Sequence, residues 1–395
     1  MKKRLPLLPT IFWITILFIG LQGCSGQSFP GSQLFSQQKI IPLKVLKEIT
    51  PTVTVKTLWQ VQTGSTSTNS KLHPFISNQA VIVAGNTRIS AWDKNSGKSV
   101  WVNNIGENIS GGVNGGNGLV FVGTDHGNAL ALNETTGKTV WIKHLGAEIL
   151  SISAAKNGRS VFRTIDGKLH GLSTETGDIV WQQQQLTPVL SLYGASIPIL
   201  AGPYVIAGFD NGKLVAYELQ KGTSIWETTL ILPRGDNELD RMVDVDGKLK
   251  ALGSAMFATS FHGRISGINL KTGKVHWAKK HSSYTGADAN TDGVYTTDET
   301  GNIWKLAPQT GQPLWKIDDL VRRSPTAPSL IGANLIVVGD KKGNLHFINT
   351  NNGQFAARIK GDTAGYHVAT AVEANKVVSL GRGGLLTVNI ISNLP

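Results

Sequence analysis

Apolar runs of four to six residues recur along the chain, each broken by a polar turn that contains glycine. Leu119-Val120-Phe121-Val122 leads into Asp125-His126-Gly127, and Tyr204-Val205-Ile206-Ala207 leads into Asp210-Asn211-Gly212. A second run follows each turn, over Asn128 to Asn133 or Lys213 to Glu218. Then come another glycine turn and a third run carrying a tryptophan. Runs of this length between turn residues predict strands rather than helices. Glycine supplies the positive φ that tight hairpins demand.

The spacing of these features is fixed. From one turn glycine the next lies ten residues on and the tryptophan fourteen on. The sets are Gly127, Gly137, Trp141; Gly167, Gly177, Trp181; Gly212, Gly222, Trp226; Gly263, Gly273, Trp277; and Gly301, Gly311, Trp315. In the first copy Thr87 precedes Gly97 and Trp101, and in the seventh Gly343 and Gly353 hold while Ala357 replaces the tryptophan. With one more strand per copy, each unit of about 40 residues reads as a four-stranded antiparallel blade. The tryptophan then packs between neighbouring blades, where its ring buries most area. An eighth unit, Val377 to Leu380, Gly383 and Leu385 to Asn389, ends before its tryptophan position, whereas Trp59 has no turn of its own before it. The predicted fold is therefore all-β: an eight-bladed β-propeller of four-stranded antiparallel blades over residues 55–395. Its last blade is closed by the N-terminal strand, which removes an exposed sheet edge.

Two intervals between a tryptophan and the next turn glycine are long, Trp181 to Gly212 and Trp226 to Gly263. Because the glycine-to-tryptophan count never changes, the excess falls in two consecutive inter-blade connections, the places where repeat folds often build binding surfaces. The first holds Pro188-Val189-Leu190-Ser191-Leu192-Tyr193-Gly194; the second alternates acidic and apolar residues from Glu238 through Arg241, Asp244 and Asp246 to Gly247. An apolar anchor beside carboxylates suits a protein-binding spot. Leu190 and Leu192 read equally as core strand, and Asp244 and Asp246 as turn residues before Gly247.

The N-terminus changes the picture from a ring to an anchored ring. Lys2-Lys3-Arg4 precedes an apolar stretch from Leu5 to Gly20 that ends at Leu21-Gln22-Gly23-Cys24. The stretch is short for a membrane span and carries two prolines near its start, so residues 1–23 read as a signal peptide. Small residues before a cysteine resemble a bacterial lipobox, with Gln22 departing from the usual small or aliphatic residue. The expectation is cleavage before Cys24 and acylation of that residue, with residues 24–54 as a lipidated tether. Several acyl chains, at roughly 0.8 kcal/mol per methylene, anchor stably. Ser25 stands where aspartate would resemble an inner-membrane retention signal.

Charge and candidate chemistry add little beyond this. The net charge is +12, of which the leader holds three positive residues, leaving about +9. Such a balance favours an acidic partner or an anionic surface; the lysines and arginines are scattered, which argues against nucleic acid. Cys24 is the single cysteine, so no intramolecular disulfide, zinc cluster or Cys–His pair can form. Ser96-Gly97-Lys98-Ser99 and Thr136-Gly137-Lys138-Thr139 lack the earlier glycine and following helix of a phosphate loop. Gly111-Gly112 and Gly115-Gly116 read as a loop between blades. The nine histidines show no metal-ligand spacing. No catalytic residue, metal or cofactor is expected, and the protein is not expected to be an enzyme.

The repeat resembles that of pyrroloquinoline-quinone dehydrogenases, which makes an oxidoreductase the second hypothesis; the vicinal Cys-Cys ring of those enzymes is impossible here. A generic envelope adhesin is the third. More specifically, Leu190-Ser191-Leu192 with Gly194, Leu239-Asp240-Arg241 with Asp244-Val245-Asp246, and Leu72-His73-Pro74 resemble the BamB family of outer-membrane protein assembly factors, from lipobox to last repeat. That resemblance implies a lipoprotein at the periplasmic face of the outer membrane, within the machinery that folds and inserts β-barrel proteins. It implies binding to the POTRA domains of the central barrel subunit, BamA, and admits nascent outer-membrane proteins as a further contact. Carried over by position, Leu190, Leu192, Tyr193, Arg241, Asp244 and Asp246 are the candidate partner-binding residues. Tyr193 stands where the family commonly has arginine, a departure that bears on any charge contact there.

Overall fold

A computed structural model of the protein describes residues 43–65, 71–194, 196–234, 236–237 and 239–393. The leader, Cys24 and most of the expected tether lie outside the described residues. The rest forms eight four-stranded antiparallel sheets, the blades of an eight-bladed propeller. Blade 2 shows the pattern: Ile109–Gly116, Leu119–Thr124, Asn128–Asn133 and Thr139–His144 pair in chain order. Middle strands are buried on both faces, as in Val120, Phe121 and Val122, while the outer strand keeps its tryptophan inward and leaves Val140 and Ile142 exposed.

The fixed spacing of the repeat has a physical origin at the seams between blades. Each tryptophan lies over the second glycine of the following copy and donates its indole Nε1–H to the carbonyl three residues before that glycine. Trp101 bonds Glu134 at 2.8 Å, Trp141 bonds Thr174 at 2.9 Å, Trp181 bonds Leu219 at 2.8 Å and Trp277 bonds Pro308 at 2.8 Å. Trp59, Trp226 and Trp315 do the same to Lys94, Leu270 and Thr350. The glycine is required twice over. Gly137 has φ +68°, and a Cβ there would sit 2.4 Å from the Trp101 ring.

Blade 8 consists of Ala371–Glu373, Lys376–Leu380, Leu385–Ser392 and the N-terminal strand Thr54–Gln62. Trp59 therefore seals the seam to blade 1, as expected. The left-handed residue of this blade's turn is Gly384 (φ +83°) rather than Gly383.

The seam between blades 7 and 8 explains Ala357. A tryptophan there would need a receiving turn between the third and fourth strands of blade 8, and at that place the chain is open, because Ser392 ends one strand and Thr54 begins the other. Thr52 and Val53 fill the gap instead. Their backbone N–H groups donate to the Ala356 carbonyl at 2.9 and 3.4 Å, and Val53 is buried against Ala356, Ala357 and Ile391. Residues 43–53 thus act as a strap on the ring rather than as free tether. Arg323 donates to the Lys44 carbonyl at 3.0 Å and Arg358 to the Lys47 carbonyl at 2.9 Å.

The Gly111–Gly116 stretch also departs from expectation. It is not a loop but part of the innermost strand of blade 2, which carries two register shifts. Its glycines serve close approach: a Cβ on Gly111 would lie 2.6 Å from the Ile149 carbonyl oxygen of the next blade.

Trp141→Ala is expected to cost about 3–5 kcal/mol of unfolding free energy. Trp141→Phe, which keeps much of the ring and loses the Nε1–H bond, is expected to cost about 1–3 kcal/mol. Denaturant midpoints of the two variants against the parent protein measure both.

Candidate functional site

Each blade alternates between the two ends of the ring, so connections to the next blade share one face with the hairpin between a blade's second and third strands. The two long connections, 185–198 and 230–249, emerge on that face on either side of blade 4. They touch: the backbone N–H of Leu192 donates to Oδ2 of Asp244. Their ends are pinned by further buried bonds. Ser151 Oγ donates to the Ser196 carbonyl at 2.9 Å, and the Phe261 N–H donates to the Asp244 carbonyl at 2.8 Å.

The six candidate residues divide into two groups. Leu190, Tyr193 and Arg241 are exposed, with Leu192 half-buried beside them. Leu239 of the second connection is exposed as well, at 64 %. Tyr193 donates its hydroxyl to Glu148 of the preceding connection, which holds the ring on the surface. Asp244 and Asp246, in contrast, are buried. They lie under the surface, and Asp244 positions Leu192 through its backbone.

Beneath the loops a buried charge cluster carries the load. The Arg163 guanidinium pairs with Asp210, donates to the Gly208 carbonyl at 2.7 Å and lies 3.8 Å from Asp246. It also stacks over Phe209, 5.1 Å from the ring centre. Burial pushes Asp244 up to about 7 and Asp246 up to about 8, against the opposing pull of Lys71 and Arg163. Oδ1 of Asp244 and both carboxylate oxygens of Asp246 have no hydrogen-bond partner among the described residues. Sequence reasoning missed Arg163. Its signal was nonetheless present: it stands four residues before its turn glycine, where blades 2, 4 and 7 have Gly123, Gly208 and Gly339. Among the described residues no three His, Cys, Asp or Glu side chains gather to hold a metal ion.

The fold and this face define a class: an eight-bladed propeller with a preformed surface made by two interlocked connections over a buried charge cluster. Comparison with known proteins narrows it. A family model described as "Outer membrane protein assembly factor BamB" matches residues 85–317. A protein of that name from Pseudomonas aeruginosa is 39% identical, covering 94% of this chain and 96% of its own length. The one from Escherichia coli is 32% identical, covering 97% and 98%. The crystal structure of BamB from Moraxella catarrhalis superposes with a TM-score of 0.79 at 25% identity, over 85% of this chain and all of that one. The chain belongs to the BamB family. Quinohemoprotein alcohol dehydrogenase from Comamonas testosteroni, with a TM-score of 0.66 at 13% identity over 85% of this chain and 76% of that one, shares the fold alone.

The buried carboxylates give a pH signature with a definite sign. A carboxyl whose native pKa lies above its unfolded value binds more protons folded than unfolded, so stability falls as pH rises through the native pKa. His73, His170 and His281 are pushed down by burial, so they are neutral in both states above their ordinary value near 6.5. Between pH 6.5 and 9 the melting temperature is therefore expected to fall, and Asp246→Asn to flatten that fall. Calorimetric melting across this window checks it; an unchanged slope in the variant would count against the assignment.

Proposed function

We propose that this chain is a non-enzymatic, lipid-anchored scaffold for outer-membrane protein assembly. It acts by docking on POTRA domains of the central barrel subunit. Family membership supports the assembly role, since the relatives bear that name across nearly their whole length. The observation that carries the docking site is the tie between Leu192 and Asp244, which fuses two stretched connections into one exposed apolar surface. Leu190, Leu192 and Tyr193 supply that surface, Arg241 its charged rim, and Asp244 and Asp246 its support. Central apolar and aromatic residues of such interfaces carry most of the binding energy, often more than about 2 kcal/mol each. The exposed outer strands of the blades offer unpaired backbone groups to nascent barrel chains by edge pairing.

The quinoprotein reading keeps only the shared fold in its favour, at 13% identity.

Leu192→Ala combined with Asp244→Ala is expected to abolish co-purification with the barrel subunit from detergent-solubilised outer membranes, with circular dichroism unchanged. Unchanged co-purification would overturn the docking site. The anchor is tested separately. Cys24→Ser is expected to move the protein from the membrane pellet to the soluble envelope fraction, and retention in the pellet would argue for another mode of attachment.

A further inference from the structure

The face with the two long connections also opens onto the ring axis, where there is a cavity of about 640 Å³. Phe75, Val113, Ile197, Ile199, Leu249 and Val372 wall it, side chains drawn from blades on opposite sides of the axis. That size and apolar lining are those of a small-molecule site.

Charge around its mouth is unbalanced toward positive. Lys71, Lys248 and Arg382 line it. Lys248 and Lys250 both reach Asp288, at 2.7 and 2.6 Å, so two cations share one carboxylate. No ion pair within 4 Å among the described residues involves Lys71 or Arg382. The carboxylate on the wall itself is Asp246, which burial pushes up to about 8 against the pull of Lys71 and Arg163. His73 responds in the sense a positive cavity imposes: burial first, then His367, Lys71 and Lys248, push it down to about 3. Cations outnumber carboxylates around this apolar wall, so a ligand carrying both an anion and an apolar body matches both halves.

We propose that this axial funnel binds an amphipathic anion, an apolar chain or ring ending in a carboxylate or a phosphate, with its charged end at the Lys71, Lys248 and Arg382 mouth and its apolar body against Val113, Ile199 and Val372. The funnel borders the docking surface proposed above and shares Tyr193 and Asp246 with it, but the variants that test it, at Lys71 and Arg382, lie outside that surface. Carboxylate and phosphate headgroups share this chemistry, and the probes separate them.

The test uses the chain carrying Cys24→Ser, purified without detergent, and titration calorimetry with decanoate and decyl phosphate below their micelle concentrations. One-site saturation by at least one of them is expected. Lys71→Ala with Arg382→Ala should weaken it at least about tenfold, while Arg382→Lys retains it and keeps the result readable if the double variant is unstable. Tighter binding of decyl phosphate would point to a phospholipid-like source, tighter binding of decanoate to a fatty-acid-like one. Several results would overturn the proposal: no saturation, equal binding of neutral decyl glucoside, equal competition by inorganic phosphate alone, or variants that bind as the parent does. Binding of penta-glutamate in place of either decyl probe would also sink it, making the funnel a dock for acidic polypeptide.

Discussion

The indole that reaches across seven of the eight seams to the next blade's glycine turn is the contact on which the ring depends. One side chain does three things at once. It buries a large ring between sheets, it satisfies a carbonyl that the turn would otherwise leave to water, and it sets the distance between blades through contact with a residue that has no Cβ. The constant counts of ten and fourteen follow from this. The ten-residue step places each receiving glycine one strand beyond its turn, and four more residues aim that blade's own tryptophan at the next. A repeat with such an interlock tolerates length changes only where no seam is involved, which is why all the excess sits in connections between blades.

The same contact explains its own exception. Ala357 looks from the repeat like a decayed copy, yet the structure shows that the partner is missing rather than the tryptophan lost. The first and last strands, starting at Thr54 and stopping at Ser392, have no turn between them where the receiving turn would be, and Thr52 and Val53 use backbone N–H groups and a buried valine in its place.

Blade count and closure were legible in the sequence because strand length, turn glycine and tryptophan repeat in register, and because the last unit runs out before its tryptophan. The strap over 43–53 was not legible, since Arg323 and Arg358 hold it by its carbonyls and no side-chain pattern records that. Gly111 to Gly116 hid a strand because glycines chosen for close backbone approach erase the apolar alternation that announces one. For the site, the length of the two connections gave the address but not the depth. The acidic and apolar residues from 238 to 247 read as carboxylates of a binding spot or as turn residues before Gly247, whereas Arg163, far away in sequence, draws Asp246 inward beside Asp210. Burial of a carboxylate depends on a partner that local pattern cannot supply.

The placement of these features around the ring has a mechanical consequence. The strap binds at blades 6 to 8, with Lys44 meeting Asp318 at 2.7 Å and Thr52 and Val53 filling the last seam. The interlocked connections flank blade 4, four blades from blade 8 and two from blade 6. Any pull on the chain N-terminal to the strap is therefore taken up first by Arg323 of the connection between blades 6 and 7, by Arg358 of blade 7 and by the paired strand 54–62. Between blade 7 and blade 4 lie three indole seams, those of Trp315, Trp277 and Trp226, and the second long connection also meets blade 6 directly, through Lys248 and Asp288. The one seam without an indole lies where the strap itself packs, so the backbone bonds of Thr52 and Val53 and the burial of Val53 stand in for the missing ring.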